Sequence, residues 1–219
     1  MIAFDLDGVL IDSAERYGEV MQAALCSVGL ALTAEVVRAR RVAHVGQWLE
    51  ALIPLDLVGR AEVREGLTAQ VRAVMAAAPA EMAAAPAAEA ALAELAAHHE
   101  LCVVTNSCGA YARAVLEHHR LARFLRRIVS ADDGFAGKDA ALRELAASLQ
   151  IARGRFYYVG DTARDVEDAH AGGGLAVIVY APISWDFGRL DDILASRPDI
   201  IADSLEELAT DLSRRARCA

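Results

Sequence analysis

The chain has 219 residues, and its 22 Lys plus Arg against 31 Asp plus Glu give a formal net charge of -9. That length suits one domain with a modest insertion, or two small domains. The acidic balance excludes a general nucleic-acid binder, because a phosphate backbone would be repelled.

Apolar residues make up 55% of the chain and aromatics 5%, so a core must be built mainly from Ala, Leu and Val. The chain opens directly on a strand-like run, Ile2–Asp5, with no signal-peptide pattern, so a cytoplasmic location is expected. In Phe4-Asp5-Leu6-Asp7-Gly8-Val9 the two carboxylates stand two apart, a spacing that turns both to one side at a strand's end. Open α/β sheets bind ligands at that end. Two carboxylates so close repel unless a cation shares them or one is protonated. Oxygen ligands of this kind suit Mg²⁺, although a solvated acidic turn has the same sequence. Gly8 allows a sharp exit from the strand.

From about Ala14 to Ala83 the periodicity is helical, with helices expected over Arg16–Val28, Thr33–Arg41, Gly46–Ile53 and Leu57–Ala77. The Ala/Pro-rich return, Ala78–Pro86, has the composition of a hinge. The Ala-rich stretch Val74–Ala97 carries Glu81, Glu89 and Glu94 and is interrupted by Pro79 and Pro86, so no membrane span is expected.

Beyond it, strands and helices alternate. Strands are expected at Leu101–Thr105, Arg127–Ser130, Phe156–Gly160, Ala176–Tyr180 and, more weakly, Asp199–Ala202. Helices are expected at Ala87–Ala97, Tyr111–His119, Asp139–Gln150, Ala163–Ala171 and Ser204–Ser213, the last capped by Ser204. This alternation predicts a Rossmann-like, doubly wound, mostly parallel α/β sheet with a helical insertion after the first strand. The expected division is a core of residues 1–13 and 84–219 and a helical unit of residues 14–83.

Three further groups stand at strand ends. Val103-Val104-Thr105-Asn106-Ser107 ends in hydroxyls and an amide before a helix, whose N-terminus favours a phosphate; a plain N-cap by Ser107 accounts for the same residues. Lys138 is the only lysine in a chain that otherwise uses Arg, and it opens a helix, where the dipole disfavours a cation. That placement predicts an ammonium with a task. Gly160-Asp161-Thr162-Ala163-Arg164-Asp165 sets two acids four apart at a strand-to-helix turn, with Asp161 beside Asp5. Helix capping explains Asp161 but not the pair. Cys26, Cys102, Cys108 and Cys218 form no CxxC pair and no zinc spacing, so reduced thiols are expected.

In order and spacing, Asp-x-Asp-Gly, a strand-end Thr, a Lys and Gly-Asp-x-x-x-Asp resemble the four motifs of the haloacid dehalogenase-like (HAD) hydrolases. The closing segment Pro198–Leu205 resembles that of phosphoglycolate-phosphatase-like members, and Asp139 stands where relatives usually have Pro. The resemblance implies a Mg²⁺-dependent phosphatase acting on a small phosphorylated metabolite, such as phosphoglycolate or a sugar phosphate, as a monomer or homodimer.

In that reading Asp5 is the nucleophile and Asp7 the general acid and base. Mg²⁺ is held by Asp5, Asp7 (through its main-chain carbonyl) and Asp161, with Asp165 as ligand or support. Thr105, Asn106 and Lys138 hold the phosphoryl oxygens. The helical stretch corresponds to the family's small cap, with His44, Gln47 and Arg41 (or Arg40) expected at the substrate. Asp7 argues against a haloacid dehalogenase, and a cap without lysine argues against an imine-forming phosphonatase. A β-phosphoglucomutase-like mutase and a non-catalytic phosphometabolite-binding module stay open. A response-regulator receiver is disfavoured by motif order.

Overall fold

The computed structural model describes residues 1–39 and 44–217. Its chain order begins with β1 (Ile2–Phe4) and β2 (Ile11–Asp12). Four helices follow: α1 (Ala14–Ser27), α2 (Ala34–Ala39), α3 (Val45–Leu52) and α4 (Arg60–Ala77). Then come β3 (Ala83–Ala84), α5 (Ala88–Ala96), β4 (Leu101–Val104), α6 (Gly109–His118), β5 (Leu125–Val129) and α7 (Lys138–Ser148). The chain closes through β6 (Tyr157–Gly160), α8 (Ala163–Gly172), β7 (Leu175–Val179), α9 (Leu190–Ala195), β8 (Ile200–Ala202) and α10 (Leu205–Arg217).

Six strands form one parallel sheet in the order β5-β4-β1-β6-β7-β8. The chain steps outward from β1 through β4 to β5, returns to β6 on the other side of β1, and steps outward again. The β1/β6 boundary is therefore the switch point, where a crevice opens at the carboxyl ends of the strands. β1 and β4 are buried along their whole length, which is why they read as unbroken apolar runs.

Alternate residues of the strands feed two layers. Ile2, Phe4, Val103, Val159 and Val177 join one cluster, whereas Ala3, Cys102, Val104, Tyr158 and Ile178 join the other, beneath α7 and α8. The first cluster continues without a break into the helical segment, taking in Met21, Leu25, Trp48, Leu49, Leu67 and Val71.

Two features were not expected from local pattern. β2 and β3 pair as an antiparallel ribbon, Ile11 with Ala84 and Asp12 with Ala83. This ribbon joins the chain's departure into α1 to its return from α4, within the stretch that composition marked as a hinge. α9 is the second. The expected cap at the last helix is present: the Glu207 N–H donates to Ser204 Oγ at 3.1 Å. Among the described residues no helix is long and apolar enough to cross a membrane.

Trp48 is fully buried, and its indole N–H donates to the Val37 carbonyl at 2.8 Å, fixing α3 against α2. Trp48→Ala is expected to cost about 3–5 kcal/mol. Because the core is continuous, the loss should appear as one shifted urea transition by both circular dichroism and fluorescence. Separate transitions for the two probes would contradict that continuity.

Candidate active site

Asp5 follows β1, Thr105 follows β4 and Asp161 follows β6, so three neighbouring strands deliver three polar side chains to the switch point. Asp5 is fixed by its own backbone, since its N–H donates to the Val159 carbonyl at 2.8 Å. One carboxylate oxygen accepts from the Leu6 N–H at 2.8 Å and the other from Lys138 Nζ at 2.7 Å.

Lys138 is the first residue of α7 and is only 6% exposed. Its ammonium bridges Asp5 and Asp165, the second at 2.8 Å. A lysine unfavourably placed for the helix dipole is thus paid back by two buried carboxylates. Burial works against its charge, but Asp165 and Asp5 outweigh burial and hold the ammonium well above the usual lysine range.

Asp165 is saturated with donors. One oxygen accepts from Lys138 and from the Tyr158 hydroxyl at 3.2 Å; the other accepts from the Thr162 hydroxyl at 2.6 Å and from the Thr162 and Asp161 N–H groups. Burial works against its charge, yet Lys138 and these hydrogen bonds hold it below the ordinary carboxylate range. Gly160 makes this approach possible, because a Cβ there would lie 2.3 Å from Asp165 Cβ. Thr162, not Asp161, caps α8 in a reciprocal capping box with Asp165.

Asp161 is therefore free of the capping duty that its position suggested. Its carboxylate accepts from the main-chain N–H of Trp185, in the loop after β7. Burial, then Asp165 and Asp5, drive its pKa well above the usual value. Oxygen atoms of Asp5, Asp161 and Asp165 lie within 4.8 Å of one another, all from buried residues. Three buried carboxyl groups share one ammonium, and the donor set is that of a hard divalent cation. Burial, offset by Lys138 and reinforced by Asp165, pushes Asp5 up to about 7 in the ion-free protein.

The Asp7 side chain takes no part in that cluster. The chain leaves β1 in a tight turn with Gly8 at φ 79°, and the Asp7 carboxylate points into a nest of hydroxyls. One oxygen accepts from Ser13 at 2.6 Å and Tyr111 at 2.8 Å, the other from Ser107 at 2.5 Å. Burial raises its pKa, and the Ser107, Ser13 and Tyr111 hydrogen bonds oppose that rise. The expectation that Asp5 and Asp7 face one cation is thus corrected for the side chain; strand alternation ends before Asp7. Ser107 is likewise no helix cap: α6 is preceded by Cys108, and the Ser107 hydroxyl is spent on Asp7.

The N-terminus of α6 is partly occupied too, since the Gly109 N–H donates to Asp132 at 2.7 Å. Thr105 Oγ1 accepts from the Ser107 N–H at 3.1 Å, which shapes the turn that presents Asn106.

These groups line a cleft of about 540 Å³. His44 and Gln47, before and within α3, form part of its wall with Asn106 and Thr105. Partial burial, then Lys138, Arg72 and Arg164, depress the His44 pKa, so its imidazole is neutral near pH 7. Arg40 and Arg41 lie outside the described residues. Local reading missed Tyr17, Trp185, Asp168 and Asp186 in the same wall. A usable signal existed for Trp185 and Asp186, which follow a buried strand at the sheet's carboxyl edge.

The description of haloacid dehalogenase-like hydrolases matches residues 2–179. A phosphoglycolate phosphatase of Vibrio parahaemolyticus is 28% identical over 222 residues, covering 95% of this chain and 93% of that one. A phosphoglycolate phosphatase of Salmonella typhi is 26% identical over 238 residues, covering 94% and 90%. A haloacid dehalogenase-like family hydrolase from Streptococcus pneumoniae shares the fold with a TM-score of 0.82 at 21% identity, covering 96% of this chain and 97% of that one.

Removing the Lys138 ammonium leaves Asp5 and Asp165 buried without a counter-charge. Lys138→Met should cost about 3–5 kcal/mol near neutral pH in urea denaturation of the metal-free protein. The loss should shrink as pH falls and the carboxylates take up protons. A variant as stable as the parent at every pH would contradict the assignment.

Proposed function

The chain belongs to the haloacid dehalogenase-like hydrolases, and within that family we propose that it is a magnesium-dependent phosphatase of a small phosphorylated metabolite, with Asp5 as its nucleophile. The observation that carries this reading is Asp5 itself: a buried strand-end carboxylate, 2.7 Å from the chain's only lysine and within the Asp161–Asp165 cluster. The relatives named phosphoglycolate phosphatase support a substrate of that size.

Asp5, Asp161 and the Asp7 main-chain carbonyl would hold Mg²⁺, which would supply positive charge to offset that of the phosphoryl group. Asp165 supports that set, because each of its oxygens already accepts at least two hydrogen bonds, against one on each Asp5 oxygen. An Asp5 oxygen attacks phosphorus, the bond to the leaving oxygen breaks, and an aspartyl-phosphate forms. Lys138 neutralises the Asp5 side of the developing charge, and Thr105 with the Asn106 region holds the other phosphoryl oxygens. Asp7 gives its proton to the leaving oxygen. It then takes a proton from the water that attacks phosphorus, releasing inorganic phosphate and the free Asp5 carboxylate. Burial, which raises the Asp7 pKa, makes the proton-bearing form accessible.

Residues 14–83 form the cap over the switch point, with residues 1–13 and 84–219 as the core. His44 and Gln47, before and within α3, line the cleft, and Arg41 is assigned to an anionic end of the substrate. A cleft of this size, once the cap closes on it, would exclude bulk water and large phosphoesters.

Phosphate release from a panel of phosphorylated metabolites and an aryl phosphate should require Mg²⁺, stop with EDTA, and fall by a factor of about 10³ or more in Asp5→Asn. Silence across the panel from folded protein that binds Mg²⁺ would contradict hydrolysis. It would favour phosphoryl return to a sugar, or binding alone.

A second expectation concerns pH. Because Asp5 titrates near 7 in the folded metal-free protein and near 4 when unfolded, the folded state holds its proton more tightly. Its stabilising contribution is complete below about pH 4 and is lost as pH rises through about 7. Mg²⁺ must displace that proton. The rise in Tm on adding Mg²⁺ should therefore be small near about pH 5 and larger near about pH 8. The reverse trend would contradict Asp5 as a ligand.

A further inference from the structure

The loop after β7 is tightly built. Ser184 is buried; its hydroxyl donates to the Val179 carbonyl at 2.8 Å and accepts from the Ala181 N–H at 3.0 Å. Its own N–H donates to the Ala181 carbonyl at 2.8 Å. The turn so closed presents the next two residues to the site. Asp186 accepts from the Ala163 N–H at 3.3 Å, at the N-terminus of α8. Trp185 uses its main-chain N–H on the Asp161 carboxylate. One turn therefore holds both the carboxylate and the helix start that follows it.

The Trp185 ring faces the other way, into the helical segment. It meets Tyr17 of α1 edge-on, with centroids 5.7 Å apart and planes at 70°, and Trp48 of α3 at 6.2 Å and 67°. Tyr17 in turn stands edge-on to Tyr111 of α6 at 5.7 Å and shares a hydrogen bond with Ser107, which holds Asp7. The same ring closes over the turn after Asp7: a Cβ on Gly8 would lie 2.8 Å from Trp185 Cδ1 and 2.1 Å from an Asp161 oxygen. Asp161, Gly8 and Trp185 thus fill one small volume without slack.

We propose that Trp185 is a positioning residue that ties the seating of α1 and α3 on the sheet to the placement of the Asp161 carboxylate, and so to the site's affinity for a divalent cation. This rests on the reading of Asp161 as a metal ligand. The donor to Asp161 is a backbone N–H, so its position depends on where the turn sits. The aromatic ring is the part of that turn gripped by the helices. Edge-to-face contacts of this kind are directional. Moving α1 or α3 away from the sheet releases the ring, lets the turn relax and withdraws the donor that orients Asp161. A cation that requires that orientation favours the seated arrangement in return, because coupling between two sites is reciprocal.

The test is Mg²⁺ binding to the whole chain, without substrate. By calorimetry the parent should bind and Asp161→Asn should not. Trp185→Ala should bind about tenfold more weakly, while Trp185→Phe, which keeps an aromatic edge, stays within about twofold of the parent. The chain has two tryptophans, so Trp48→Phe leaves Trp185 as the sole tryptophan, read by excitation beyond the tyrosine band. Its emission should shift on adding Mg²⁺, and this readout decides the matter if Trp185→Ala does not fold. A folded Trp185→Ala that binds Mg²⁺ like the parent, or a Trp185 emission blind to saturating Mg²⁺, would overturn the linkage alone. A parent chain that binds no Mg²⁺ would overturn the metal reading on which it rests.

Discussion

The site is organised around one ammonium. Lys138 reaches from the first turn of α7 to Asp5 beyond β1 and to Asp165 in the first turn of α8, and so pins three separately positioned elements. Burying three carboxylates at the end of a parallel sheet is costly unless charge is balanced and lone pairs are filled. Lys138 balances part of that charge and with Tyr158 fills one oxygen of Asp165, while the capping box at Thr162 fills the other. What is left over, on Asp5 and Asp161, is the uncompensated burial on which the proposed cation site and the proposed nucleophile rest.

Asp5 and Asp7 stand two residues apart and occupy opposite chemical environments. Asp5 faces an ammonium and other carboxylates, whereas Asp7 faces three hydroxyls. The separation comes from the turn that begins as β1 ends, where Gly8 takes a positive φ no side chain would fit beside Asp161. On the proposed reading, one strand end thereby supplies a carboxylate for attack and another to carry a proton.

The parts legible in the sequence are those whose signal is local. Buried parallel strands appear as unbroken apolar runs, and Asp5, Thr105, Lys138 and Asp161 each sit at or just beyond the end of an element. The solitary lysine was informative because a cation at a helix start needs a partner, and its partners proved to be Asp5 and Asp165. The parts not legible are contacts between distant segments of chain. Ser107 reads as a helix cap until the fold brings Asp7 to it, and Asp161 reads as a cap although Thr162 performs that duty. Two-residue strands such as Ile11–Asp12 and Ala83–Ala84 have no periodicity to detect. The proposed role of Trp185 joins its backbone N–H, which residue identity does not encode, to ring contacts with Tyr17 and Trp48 that only the fold brings together.

The central claim is that Asp5 carries the phosphoryl group. Acid-quenching the enzyme during turnover of an aryl phosphate, followed by reductive trapping and peptide mass analysis, tests it directly. The account predicts covalent modification confined to the peptide containing Asp5, and none in Asp5→Asn. Reduction of another carboxylate in place of Asp5, or turnover that survives in Asp5→Asn, would contradict it.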